Sequence, residues 1–142
     1  MIYAAPEVIR VEPQNTAADM WSLGCVFLEM VTVLKGRTTQ ELRAHFVEHS
    51  DIPAFHANTE STQGWAEELR QLAPAGDNAA VGWALDMLQH NQHARPTAAS
   101  LFEEILRESI SCGTLFCGTC CDGVESTEGE EDDEHLWGDD GL

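Results

Sequence analysis

Two groups of side chains in this sequence have types and spacings that could bind a metal. In the first, His45 and His49 stand four residues apart with Glu48 between them, an H-x-x-E-H order known from one class of metalloprotease. Helical i, i+4 spacing puts both imidazoles on one face, where each could donate a nitrogen to zinc. So short a match also arises easily by chance, and we favour a solvent-facing histidine pair.

The second group is a cluster of cysteines: Cys112, Cys117, Cys120 and Cys121 lie within ten residues. Zinc sites usually combine two C-x₂₋₄-C units that are separated by a longer loop. Only Cys117 and Cys120 have that spacing here, and Cys120 is adjacent to Cys121, which makes a four-ligand tetrahedron hard to close. A small metal-binding protein is therefore the least favoured hypothesis, and we predict no metal site.

The carboxylate of Asp19 is a separate candidate, for a catalytic role. It stands at the start of a long apolar segment. A carboxylate in the first turn of a helix complements the positive end of the helix dipole. No His or Lys that could act as a base accompanies Asp19 in the neighbouring sequence. We predict a structural role for Asp19 and no catalytic residue in this chain.

The charge distribution excludes several classes of partner. The net charge is -18, and the last twenty-one residues contain ten acidic side chains and no Lys or Arg. Without a basic patch to neutralise phosphates, binding to nucleic acid or to an anionic membrane is not expected. No signal peptide or unbroken membrane-spanning stretch is recognisable. We expect an intracellular protein, cytoplasmic or nuclear, with reduced thiols.

The elements that must position these residues are all helical. A segment from Ala17 to Leu34, with Thr16 as the predicted N-cap, is apolar on nearly every side, which is typical of a helix surrounded by protein. The Thr38 to Glu41 segment matches a capping box, and Thr97 precedes a strongly amphipathic helix. No alternating strand pattern occurs. The predicted helices are residues 17–34, 38–48, 63–72, 79–89 and 98–109.

The shorter helices do not carry enough apolar surface to enclose the helix from Ala17 to Leu34. We therefore expect part of its covering to lie outside this chain. An exposed apolar patch of that size would favour aggregation or require a partner.

Three motifs resemble those of eukaryotic-type serine/threonine protein kinases. Tyr3-Ala4-Ala5-Pro6-Glu7 is similar to the Y-x-A-P-E that closes the kinase activation segment. The stretch from Asp19 to Cys25 resembles the D-x-W-S-x-G-C that opens the central helix of the C-terminal lobe. Met87-Leu88, followed by His93-Ala94-Arg95-Pro96-Thr97, is similar to the M-L…R-P-T stretch before the last kinase helix. The order and spacing cover about residues 3–107.

The resemblance implies structural roles for five residues. Glu7 would pair with Arg95 in a buried ion pair that ties the activation segment to the lobe. Asp19 would accept hydrogen bonds from the catalytic loop, Trp21 would pack beneath the activation segment, and Gly24 would permit close helix approach.

The resemblance also implies a wall that faces the substrate. Tyr3, Ala4 and Ala5 would line the place that receives the residue after the phosphoacceptor. One departure from the family is Asn91-Gln92, where Asp/Asn-Pro is usual. The larger departure is that no Gly-rich loop, strand lysine, H-R-D loop or D-F-G occurs in the sequence.

These observations predict an all-α fold: a partial kinase C-terminal lobe over residues 1–110, and a disordered Cys/Gly-rich and acidic tail over residues 111–142. The predicted function is that of a kinase fragment, inactive by itself, with ATP and magnesium bound only by the parent protein. Its partners would be a protein substrate or the missing part of the kinase domain. The alternative is a non-catalytic, pseudokinase-like binding module that acts through the substrate-docking face and the acidic tail.

Overall fold

The computed structural model of the chain describes residues 1–114 and residue 116. Those residues contain helices and turns and no β-strand, which confirms the predicted all-α class. Three short 3₁₀ turns, at Phe55–Ala57, Ala75–Asp77 and Gln92–Ala94, lie between helices. The α-helices are α1 (Pro6–Ile9), α2 (Thr16–Leu34), α3 (Thr39–Ser50), α4 (Thr59–Gln71), α5 (Asn78–Met87) and α6 (Ala98–Cys112).

The central helix α2 begins and ends at recognisable signals. Asn15 is the N-cap, since its side-chain Oδ1 accepts a hydrogen bond of 2.8 Å from the amide of Ala17. The prediction that Thr16 caps this helix was wrong, because Thr16 is already the first helical residue. Gly36 follows the C-terminus with a positive φ of 79°, a conformation in which a residue without a Cβ is least strained.

Helix α2 packs chiefly against α5 and to a lesser extent against α3. Its buried face supplies Trp21, Cys25, Leu28 and Val31 to the main core. Burial raises the pKa of the Cys25 thiol far above its ordinary value, so this cysteine is a packing residue and not a nucleophile. Other members of this core come from α3, α4, α5 and the turn after α3: Leu42, Phe46, Phe55, Trp65, Leu69 and Val81.

Helices α3 and α4, which flank the connection of residues 51–58, differ from their predicted bounds. The capping box of α3 is present, with Thr38 and Glu41 each accepting a backbone hydrogen bond. Helix α4 starts at Thr59, four residues before the predicted start at 63, because Ser61 and Thr62 are buried with Trp65 and Leu69 on its inner face. Residues 51–58 form the connection and include the turn Phe55–Ala57.

Lys35 holds the connection between α4 and α5 in place. Its buried ammonium donates to the carbonyls of Leu72 (2.9 Å) and Pro74 and to the side-chain oxygen of Asn78 (2.8 Å). Asp77 stands at the N-cap position of α5, but its side chain forms no capping hydrogen bond. A lysine at a helix end commonly binds exposed carbonyls, but the sequence alone does not show that these belong to a distant loop.

The packed part of the chain extends beyond residue 110, the boundary predicted from the sequence. Helix α6 continues to Cys112, and the ring of Phe116 meets that of Trp83 edge to face, with centroids 5.1 Å apart. Phe116 joins a second core cluster with Met20, Trp83, Met87 and Leu101. The predicted disorder of residues 117–142 lies outside the described residues.

One face of α2 is exposed, although this helix is the most apolar in the described chain. Leu23, Val26, Met30, Val33 and Leu34, which we call the α2 stripe, are between 39% and 63% exposed. By length and hydropathy α2 could cross a membrane. Its opposite face, however, packs into the core of this fold, so the same properties are accounted for by a core helix.

Gly24 lies at a close approach of α2 to α5. A Cβ added at Gly24 would lie 2.7 Å from the Cβ of Met87 and 3.1 Å from Cγ of Leu88. Real Cβ atoms do not come this close, so the helices would have to separate.

We predict that Gly24→Ala destabilises the chain by about 1–3 kcal/mol, the usual range for overpacking a core. Gly82→Ala is the matched control on α5, since a Cβ there meets nothing within 4 Å. It should stabilise by about 0.5–1 kcal/mol, because alanine loses less backbone entropy in a helix. Urea unfolding of both variants, followed by tryptophan fluorescence, measures the two effects; equal effects would contradict the close approach.

Candidate functional site

The segment with the Y-x-A-P-E pattern is held against the body of the protein by its last residues. Pro6 begins α1, where the absence of an amide hydrogen costs nothing. Ala5, Pro6 and Glu7 are all buried, whereas Tyr3 remains partly exposed. The short helix α1 was not predicted; its four residues are too few for a recognisable periodicity.

Glu7 and Arg95 form a buried, bidentate ion pair. The two guanidinium nitrogens lie 2.6 and 2.9 Å from the two carboxylate oxygens, and the residues are only 1% and 7% exposed. The planar fork of arginine matches the two oxygens of a carboxylate. Hydrogen bonding from Arg95 lowers the pKa of Glu7 below its ordinary value, so the pair remains ionised at neutral pH.

Arg95 has further partners that connect three segments of the chain. It donates to the carbonyls of Gln89 (2.7 Å) and Ala17 (2.8 Å), and its guanidinium lies 5.0 Å above the ring of Trp21. It thereby joins α1, the first turn of α2 and the loop before α6. Trp21 is 1% exposed and lies at this junction.

The three predicted wall residues lie together on one concave surface. A concavity of about 440 Å³ is lined by Tyr3, Ala4, Ala5 and Asp19, with Ser22 on the same side. The Ser22 hydroxyl donates to the backbone oxygen of Tyr3 at 3.1 Å, which attaches the wall to α2. Asp19 is exposed there. The catalytic loop predicted to bind it is not in the sequence, so that role stays a prediction.

A polar cluster beside this wall was not found from the sequence. Tyr3 donates through its hydroxyl to Glu29 at 3.0 Å, and Arg43 donates to Glu29 at 2.7 Å and to the Tyr3 oxygen at 3.1 Å. The Tyr3 ring also stacks against Phe55, with centroids 6.3 Å apart. These residues come from four segments far apart in the chain, so no local spacing could have revealed them.

The other candidates do not contribute to this site. Cys112 is exposed at the end of α6, and the remaining cysteines of the cluster lie outside the described residues. Within residues 1–114 and 116, no three His, Cys, Asp or Glu side chains converge as a metal-binding group. The predicted solvent-facing position of the His45–His49 pair is only partly correct, since His49 is exposed and His45 is half-buried.

The described residues form a helical fold around a buried Glu–Arg pair. The three motifs that resemble those of protein kinases occur in this fold in the expected order. A family model of the protein kinase domain matches residues 1–106. The chain therefore belongs to the protein kinase family.

The chain is similar to parts of several larger proteins that are named as kinases or cell division control proteins. The chain is 29% identical over 108 residues to a mitogen-activated protein kinase kinase kinase (MCK1) of Pyricularia oryzae, covering 73% of this chain and 6% of that protein. It is 34% identical over 80 residues to the human serine/threonine-protein kinase Nek5, covering 51% and 11%. A cell division control protein 2 homologue of Trypanosoma brucei brucei is 29% identical over 135 residues, covering 82% and 39%.

The chain thus spans less than two fifths of each of these relatives. No solved structure gives a significant match.

We predict that removing one partner of the Glu7–Arg95 pair destabilises the chain strongly. Glu7→Gln and Arg95→Met should each cost about 3–5 kcal/mol, because each leaves a buried polar or charged group without its partner. The double variant should cost much less than the sum of the two. Denaturant unfolding of the four chains gives the coupling energy.

A matched control is the exposed Arg10–Glu12 pair, whose charged atoms are 3.4 Å apart. Arg10→Gln should change stability by about 1 kcal/mol or less, as is usual for surface pairs. Additive effects of Glu7→Gln and Arg95→Met would show that the buried pair is not coupled.

The lowered pKa of Glu7 predicts an acid-dependent loss of stability. Since the folded-state pKa is below the unfolded one, the contribution is full above the unfolded value of about 4.3 and is lost as the pH falls through the folded value. The stability difference between the wild type and Glu7→Gln should be constant from pH 7 to 5 and shrink below about pH 4.3. Unfolding measured across this range tests the prediction; a difference that grows on acidification would contradict it.

Proposed function

We propose that this chain is part of the C-terminal lobe of a serine/threonine protein kinase, and that it works inside a longer protein that binds ATP and magnesium. The observation that carries the proposal is the α2 stripe: five large apolar side chains exposed on the helix that forms the core. A face of this kind needs a cover. In the family that the chain belongs to, the remainder of the kinase domain is available to supply one.

The size of the unburied surface supports this interpretation. Fully burying a Val, Leu or Met side chain is worth about 1.5–3 kcal/mol. Burial of the α2 stripe under a covering segment would therefore add several kcal/mol to the stability of the fold, which the chain does not gain by itself. Glu29, Met30, Val33, Leu34 and Thr39 line a shallow concavity of about 410 Å³ on this face, which could receive side chains of a covering segment.

The concave wall around Tyr3, Ala4 and Ala5 is the proposed contact with a protein substrate. The Glu7–Arg95 pair anchors the end of this wall, and the Ser22 hydroxyl holds its backbone on α2. The Tyr3–Glu29–Arg43 cluster stiffens the outer side. These residues position a polypeptide; none of them is proposed to act on the phosphate.

We also propose that the 142-residue chain is inactive by itself. Phosphoryl transfer depends on positioning and on electrostatic stabilisation by a Gly-rich loop, a strand lysine, the catalytic-loop aspartate and metal-binding carboxylates. None of the corresponding motifs occurs in the sequence. The wall and its anchors are therefore the contribution of this segment to the parent kinase.

The experiment compares the 142-residue chain with the longer product encoded upstream in its transcript. The longer chain should contain the missing motifs and transfer phosphate from ATP to serine or threonine of a test protein, whereas the short chain should not. Radiolabel transfer measures both. Activity of the short chain would overturn its proposed inactivity.

A pair of variants tests the covering of α2. Met30→Asp should destabilise the longer chain by about 2 kcal/mol or more, because a charge would be buried, and it should increase the solubility of the short chain. Ala44→Asp on the exposed side of α3 should do neither. An equal change in stability on Met30→Asp in the longer and the short chain would contradict the proposed cover. If no longer product exists, the binding-module alternative takes its place.

A further inference from the structure

The polar cluster beside the wall exposes its cation more than its anion. Arg43 Nη2 and Glu29 Oε1 are 2.7 Å apart, and the two side chains are 30% and 16% exposed, respectively. Arg43 Nη2 also donates to the hydroxyl oxygen of Tyr3, a wall residue, at 3.1 Å. A peptide at this edge of the wall therefore meets more of the guanidinium than of the carboxylate.

Both oxygens of the Glu29 carboxylate already have partners. Oε1 accepts a hydrogen bond from Arg43, and the Tyr3 hydroxyl donates to Oε2 at 3.0 Å. A lysine or arginine of a substrate would have to compete with these two contacts. We therefore expect Glu29 to attract a basic side chain only weakly.

Arg43, in contrast, has donors that the described part of the fold does not use. A guanidinium carries five N–H groups, which are distributed over Nε, Nη1 and Nη2. Both hydrogen bonds that Arg43 makes within residues 1–114 and 116 start from Nη2. The N–H groups of Nε and Nη1 therefore remain for an acceptor from another molecule. A carboxylate is a suitable one, because it forms charge-assisted hydrogen bonds with arginine.

The neighbouring residues of α3 do not supply that acceptor. Arg37 pairs with Glu41 four residues after it, and Arg70 pairs with Glu67 three residues before it. At the corresponding distances from Arg43, no residue is acidic: these positions hold Thr39, Gln40, Phe46 and Val47. Arg43 therefore has no carboxylate of its own helix beside it.

Arg43 also lies within reach of a peptide on the wall. Its Cζ atom is 5.9 Å from the centre of the Tyr3 ring. An extended peptide advances about 3.3 Å per residue, so this distance corresponds to about two residues. A side chain that reaches Arg43 therefore belongs to a residue close to the one that the wall receives.

We propose that Arg43 is a specificity-determining residue that favours an aspartate or glutamate of the substrate, within about two residues of the one held by the wall. This inference rests on the proposed substrate-binding role of the wall. The substrate carboxylate accepts from Nε or Nη1 of Arg43, while Nη2 stays with Glu29 and Tyr3. Because the guanidinium is partly exposed, the preference is modest and decreases at high salt.

The test uses the longer chain and peptides that share one serine and differ at a single position. The varied positions are the residue before the serine and the second and third residues after it, and each carries Glu, Gln or Lys in turn. At one of them, kcat/KM should be about fivefold higher with Glu than with Gln, the size expected of a partly exposed ion pair. With Lys it should not exceed the value for Gln.

Two variants assign the preference to Arg43. In Arg43→Gln the ratio of kcat/KM for the Glu and Gln peptides should fall to about one, since the cation that makes the contact is removed. Arg37→Gln is the matched control, because Arg37 is equally exposed at 31% and pairs with Glu41; it should leave the ratio unchanged. A merely loosened wall lowers kcat/KM for both peptides by the same factor, so it does not move this ratio.

The outcomes separate this inference from the function on which it rests. Transfer to the Gln peptide with no preference for Glu, with a preference for Lys, or with a Glu preference that persists in Arg43→Gln would overturn the role of Arg43 and leave the proposed function standing. No transfer to any peptide would overturn the proposed function and this inference with it.

Discussion

The buried ion pair between Glu7 and Arg95 is the interaction on which most of the other features depend. The two residues are 88 positions apart in the chain, and Arg95 also binds the backbone of α2 and of the loop before α6. A charge at this depth is tolerated only with a partner and further hydrogen bonds. Folding must therefore bring α1, the first turn of α2 and the loop before α6 together around this pair. The wall at Tyr3 to Ala5 is positioned as a consequence.

Helix α2 is the second constraint, and it has two unlike faces. One packs against α5 so closely that only glycine fits at position 24. The other exposes the α2 stripe, in a helix whose composition alone indicates full burial. The described residues therefore bury one side of α2 and leave the other exposed, in a chain that spans a fraction of the length of its kinase relatives.

The polar contacts outside the ion pair act at the junctions between helices. Lys35 closes the connection between α4 and α5, and Arg43 with Glu29 braces Tyr3 against α2. The carbonyl contacts of His45 and His49 fix the end of α3. Each of these contacts lies at a loop or a helix end. Backbone N–H and C=O groups without a hydrogen-bond partner are concentrated at such places. The connections are thus ordered by charged and imidazole side chains as well as by the apolar core.

The sequence by itself determined the helical class, the capping box at Thr38 and, through three motifs, the partnership of Glu7 with Arg95. Those features depend on local periodicity or on patterns that the family shares. Only the tertiary structure decided that Asn15 caps α2, that α4 begins at Thr59, and that Tyr3, Glu29 and Arg43 meet. Side-chain clusters and the start of α4 are set by contacts with other segments, which leave no trace in local spacing. The Asn15 cap is a local contact, but Asn and Thr are both favoured N-caps, so spacing alone does not choose between Asn15 and Thr16. An uncovered face of α2 could be expected because the other helices carry too little apolar surface to enclose it, but the residues of that face could not be located before the neighbouring helices were placed.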